Sequence, residues 1–138
     1  MATEHPARLA AQGSMRAVLA KDKQAWLNLF ADDAVVEDPI GVSPLDPAGK
    51  GHRGKAAISA FWDANIGPNK TEFDIRHSYA AGNEVANVGQ IITTMADGKK
   101  AYVDIVITYK VNDQRKLVAL RAFWEFEKAF GPLMAAAK

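Results

Sequence analysis

A chain of 138 residues is long enough to bury one core and too short for two ordinary domains, so every functional residue has to share one scaffold. With 17 Lys and Arg against 16 Asp and Glu, the formal charge is +1 and both signs are interspersed, which excludes the basic stripe of a nucleic-acid binder. The absence of cysteine excludes disulfides, thiolate zinc sites and thiol nucleophiles, and 49% hydrophobic with 24% charged residues is the balance of a chain that folds by itself.

From Pro6 to Ala20, Leu9, Ala10, Met15, Val18 and Leu19 recur at helical spacing, with Pro6 where a first turn tolerates it. Asp22 is a candidate cap for a short second helix, whose apolar stripe Trp26, Leu27, Leu29 and Phe30 ends before Asp32-Asp33. Ala34 to Asp38 is β-branched and predicts a short strand that Pro39 stops, leaving Asp38 at a strand end beside a loop. Gly41 to Gly54 carries Pro44, Pro47, Gly49 and Gly51 and reads as the nearest thing to a flexible lid. Lys55 to Ile66 suits a third helix, broken by Gly67-Pro68.

The second half changes character. Glu72 to Tyr79, Glu84 to Met95, Lys100 to Val111 and Leu117 to Phe126 are rich in strand formers, and Gly82-Asn83, Asp97-Gly98 and Asn112-Asp113 stand between them as turns. Helices followed by an antiparallel meander imply one α+β domain over residues 1–138, in which three helices cover a curved sheet and enclose an apolar cone. The tail from about 131 to 138 is expected to fray. The exposed outer face of such a sheet suggests a homodimer. With no run of membrane-spanning length and no signal-peptide pattern at Met1 to Pro6, the chain reads as soluble and cytoplasmic, with no membrane partner.

The three histidines, His5, His52 and His77, are widely spaced without a paired carboxylate, so no metal site is expected, and Gly49 to Gly54 lacks the spacing of a phosphate-binding loop, so no cofactor is expected either. No Gly-x-Ser-x-Gly elbow supports serine hydrolase chemistry. Asp38 on its own has an ordinary explanation, because Asp before Pro is a common turn residue. The phenylalanines and Trp26, Trp62 and Trp124 read first as core.

The run Ala31-Asp32-Asp33-Ala34 through Glu37-Asp38-Pro39-Ile40-Gly41 resembles the steroid Δ-isomerases of the NTF2-like and SnoaL-like superfamily. His52 to Ile58, Ala60-Phe61-Trp62 and Leu120 to Trp124 extend the likeness over nearly the whole chain. It implies a cone-shaped NTF2-like fold, a hydrophobic steroid-like ligand, and Asp38 as a base that moves a proton beside a ketone so that a double bond shifts into conjugation. Ketosteroid isomerase is a standard worked case of such chemistry, with a tyrosine and a protonated aspartic acid donating to the enolate oxygen. Here those two positions fall on Ser14 and Ile107, and two supporting tyrosine positions fall on Phe30 and Trp62. The resemblance puts Val18, Val103, Ile105, Leu120 and Trp124 along the pocket wall. Ser14, Gln90 beside Val88 and Ile92, and Asp104 are the candidate replacements for the missing donors, although strand alternation sends Asp104 to the other face unless a bulge intervenes. Four functions stand open on these residues: an isomerase, a steroid-binding protein without turnover, a SnoaL-like cyclase or hydratase, and a scaffold module with no ligand.

Overall fold

Pro6 opens α1 (Pro6–Ala20), with the His5 side chain accepting from the Ala7 amide just before it. Asp22 caps α2 (Lys23–Leu27) by accepting from the Ala25 amide at 3.1 Å, as its position predicts. The computed structural model, which describes residues 4–136, continues with β1 (Phe30–Glu37), a short β2 (His52–Arg53) and α3 (Gly54–Phe61). Strands β3 (Lys70–Ala81), β4 (Glu84–Thr94), β5 (Lys100–Val111) and β6 (Leu117–Phe123) follow, and α4 (Phe126–Ala136) ends the described chain. α4 runs to Ala136 over the stretch from about 131 that reads as tail in the sequence and packs on β5 with Ala129 buried, while 137 and 138 lie outside the described residues. No helix among the described residues is long and apolar enough to cross a membrane.

The six strands form one sheet in the order β2-β1-β6-β5-β4-β3. All pairings are antiparallel except β1 with β6, which run parallel, with Val36 opposite Leu120. That exception departs from the purely antiparallel expectation and brings the C-terminal ends of β1 and β6 side by side. Alternation then carries Ala34, Val36 and Asp38 inward from β1, and Leu120, Ala122 and Trp124 inward from β6.

Two features bend the sheet over the helices. β3 bulges between Ile75 and His77, so its inward set switches from odd to even positions. Opposite Ile75 stands Gly89, where a Cβ would lie 2.1 Å from the Asp74 carbonyl oxygen. Only a residue without a side chain lets the two backbones approach so closely. Helices α1 and α3 fill the hollow, and the core gathers Trp26, Phe30, Ile58 and Leu117, each 2% exposed or less.

The third helix does not run evenly to Ile66. After Phe61 it widens into a π-helical turn, Trp62–Ile66, a distortion common where a side chain must be re-aimed. Lys21, in the left-handed conformation at the C-terminus of α1, reaches the carbonyls of Ile66, Gly67 and Asn69 and ties that turn to the first helix. The Gly41 to Gly54 loop is braced instead of lid-like. The buried Asp46 carboxylate accepts from the amides of Gly49 at 3.2 Å and Gly51 at 2.8 Å, and both glycines have positive φ.

Candidate active site

The hollow between helices and sheet holds a cavity of about 280 Å³. Asp38 enters its wall just past β1, and the neighbouring end of β6 supplies Trp124, whose indole Nε1–H donates to Asp38 Oδ1 at 2.6 Å across 86 residues of sequence. Burial pushes the Asp38 carboxyl above its ordinary value; the hydrogen bond from Trp124 and the proximity of His52 pull the other way without cancelling it. Asp38 is therefore a strengthened base, held among the described residues by one side-chain donor and facing a largely apolar space. His52 sits on β2 opposite Val36, its ring 4.8 Å from that of Phe61, and its Nε2 is buried without a partner among the described residues.

The structure brings Ser14, Val18, Asp38, Val103, Ile105, Ile107, Leu120 and Trp124 together on this one cavity. Three expected residues are elsewhere. Gln90 is corrected to the outer face: inward parity on β4 belongs to Val85, Asn87, Gly89 and Ile91, and Gln90 instead donates to Asp104 Oδ1 at 3.2 Å outside the cone. Asp104 is thus also outward, as alternation predicts. Phe30 and Trp62 stand one layer behind the wall. Both pack on Trp26, at ring separations of 4.8 and 5.2 Å, and Trp26 takes the place on the cavity that they were expected to fill.

Two polar groups were missed by sequence reasoning. Trp26 donates its Nε1–H to Ser14 Oγ at 3.0 Å, deep under α1. Tyr109, on β5 and 2% exposed, lies on the wall of the same cavity as Ser14, with the Ser14 hydroxyl close to its own. Burial and the Asp38 charge both push the Tyr109 phenol far above its ordinary value, so it stays protonated. The available signal was parity, since Tyr109 continues the inward series Val103, Ile105 and Ile107. A further group, Phe126 and Phe130 from α4, closes the cavity beside Trp124, with Phe126 and Phe130 stacked 4.9 Å apart. Among the described residues no cluster of three His, Asp or Glu side chains could hold a metal.

Comparison with known proteins agrees with this fold. The SnoaL-like domain family matches residues 11–127. Among solved structures, the Δ5-3-ketosteroid isomerase from Mycobacterium sp. is similar at 40% identity over 91% of this chain and 97% of that one, with a TM-score of 0.86. RV0760c from Mycobacterium tuberculosis is similar at 35% identity over 93% of this chain and 97% of that one, with a TM-score of 0.87. That protein is also known in complex with estradiol-17beta-hemisuccinate, in a structure covering 91% of this chain and 98% of its own at a TM-score of 0.86.

Proposed function

This chain is a member of the SnoaL-like domain family, and from that footing we propose that it is a steroid Δ-isomerase-like enzyme acting on a 3-ketosteroid or a similar hydrophobic ketone. The observation that carries the reading is Asp38: a partly buried carboxylate of raised basicity on the wall of a largely apolar cavity, restrained among the described residues by the Trp124 indole. In the forward direction the carboxylate takes the proton from the carbon between the carbonyl and the isolated double bond. The C–H electron pair forms the enolate, whose oxygen takes up the charge. The protonated Asp38 then returns its proton at the far carbon of the former double bond, and the electrons fall back to leave a conjugated enone. Atoms balance within the substrate and one carboxyl group, so no cofactor is called for, and a base lifted toward the working pH suits both transfers.

The test is the absorbance of the conjugated enone formed from a β,γ-unsaturated 3-ketosteroid. Wild-type protein is expected to turn it over, and Asp38→Asn to lose about a hundredfold or more of the rate. Equal rates for the two would overturn the reading. A second reading, a steroid-binding protein without turnover, draws support from the steroid complex of RV0760c and from a 32% identical designed 17-OHP binder. Tight binding of a phenolic steroid by a protein with no measurable turnover selects it. The apolar residues on the outer face, Tyr79, Tyr102 and Phe123, are each more than half exposed and fit the expected homodimer, which sedimentation can test.

A further inference from the structure

An enolate forming in this cavity needs a hydrogen-bond donor at its oxygen, and most donors nearby are already committed. The Trp124 indole serves Asp38 and the Trp26 indole serves Ser14. Asn65 and Asn69 also reach the cavity, but one N–H of each side-chain amide is committed to the carbonyls of Phe61 and Asn65, at 3.2 and 2.9 Å, which ties both amides to the helical turn. Thr71 and Thr93 face each other across β3 and β4, at the level of Ala101 on β5. That level is eight residues from Tyr109, roughly 25 Å along a strand. Among the described residues, Asp38 and Tyr109 are the two ionisable side chains on the cavity wall.

The hydrogen-bond directions at the Tyr109 end are constrained by chemistry. An indole N–H only donates, so the Ser14 oxygen accepts from Trp26. The Ser14 proton is then free to point at the Tyr109 oxygen, and the phenol proton is free for something else. Asn87, two residues from Val85 on β4, has a buried Oδ1 with no partner among the described residues, so it does not take up that proton. We propose, resting on the isomerase reading above, that Tyr109 is the electrophilic partner of Asp38, its hydroxyl donating to the ligand's carbonyl oxygen, with Ser14 and Trp26 as positioning residues behind it. With the Ser14 proton turned toward the Tyr109 oxygen, the donation from Trp26 to Ser14 polarises the serine hydroxyl and, through it, strengthens the phenol as a donor. The small side chain at Ser14 leaves the room that the Tyr109 ring enters from the sheet, so the donor reaches the cavity from the wall opposite α1. Because the phenol stays protonated, it stabilises the enolate by a hydrogen bond and needs to give up no proton.

The experiment joins kinetics to the infrared carbonyl band of a bound conjugated ketone, 4-androstene-3,17-dione labelled with ¹³C at the C3 carbonyl. In wild-type protein the C3 band is expected at lower frequency than in an apolar solvent. Tyr109→Phe should return it toward the solvent value and lower kcat by about a hundredfold to a thousandfold, with KM changed far less. Ser14→Ala and Trp26→Phe should each produce a smaller effect of the same kind, and Ser14→Thr, which keeps the hydroxyl, should restore most of it. A Tyr109→Phe variant that keeps both kcat and the lowered band overturns the proposal, as does a wild-type protein whose bound ketone shows no lowering. A wild-type protein that lowers the band through Tyr109 yet turns nothing over upholds the donor and overturns the isomerase reading. Turnover that depends on Asp38 and ignores Tyr109 does the reverse.

Discussion

Replacing Trp124 by Phe removes one hydrogen bond and keeps an aromatic ring against Phe126 and Phe130, which lie about 6 Å away by ring centroid. The lost bond is short, 2.6 Å, and its acceptor is the carboxylate. A hydrogen bond to a charged group is worth about 1.5 to 3 kcal/mol net. Its loss falls on the ionised form alone, so the protonated form of Asp38 gains ground. Burial already holds this carboxyl above its ordinary value, and Trp124 opposes that rise, so removing Trp124 moves the group further in the same direction. The acid limb of kcat/KM is therefore expected to move to higher pH in Trp124→Phe, by one unit for every 1.4 kcal/mol or so of the lost bond. Above the limb, where both proteins are ionised, the variant should be no slower per active site, because its base is stronger. The measurement is a full pH profile of enone formation for both proteins. An acid limb that stays in place or moves down would refute the reading of Asp38 as a partly buried base restrained by one indole donor.

Asp38→Asn should raise the urea midpoint near neutral pH. The native state binds the Asp38 proton more tightly than the unfolded chain does, so the stability this group contributes is present below its unfolded pKa and is lost as pH rises through the folded one. The difference between the two proteins should vanish at low pH, and chemical denaturation at several pH values reads it. Gly89→Ala puts a Cβ into the Asp74 carbonyl and should cost about 1 to 3 kcal/mol, read as a lowered midpoint, with weaker ligand binding if the sheet flattens. Phe130→Ala opens the α4 end of the cavity and should weaken an apolar ligand by about 1 to 2 kcal/mol, a roughly five- to thirtyfold rise in Kd by titration.

Much of this site was legible through the family resemblance, and period-two alternation agrees with it. Val103, Ile105 and Ile107 fall on one face of β5, and Asp38 falls two residues after the buried Val36. The same rule fails at Gln90, because the inward parity of β4 is set by its register with β5, where Ile91 stands opposite Val103. Phe30 and Trp62 differ for another reason: an apolar residue close to a pocket lies in the first or second layer according to which neighbour fills the gap, and here Trp26 does. The π-helical turn and the fourth helix were beyond reach, since their residues read as ordinary helix and as tail until the packing of Lys21 and of α4 is known. Tyr109 escapes notice because it closes a long run of strand residues, and only the Ser14 hydroxyl across from it marks it as more than core.

The parallel pairing of β1 with β6 has a kinetic meaning. Every other pairing in the sheet joins strands close in sequence, whereas this one closes a loop of more than 80 residues, the costliest strand pairing in chain entropy. Asp38 acquires its indole partner only when that loop closes. An intermediate holding the β3 to β6 meander alone would have a sheet and no base. The appearance of the tuned carboxylate, followed through the quenching of Trp124 by its neighbour, should therefore coincide with the last cooperative step of folding, and the protein should gain its chemistry all at once.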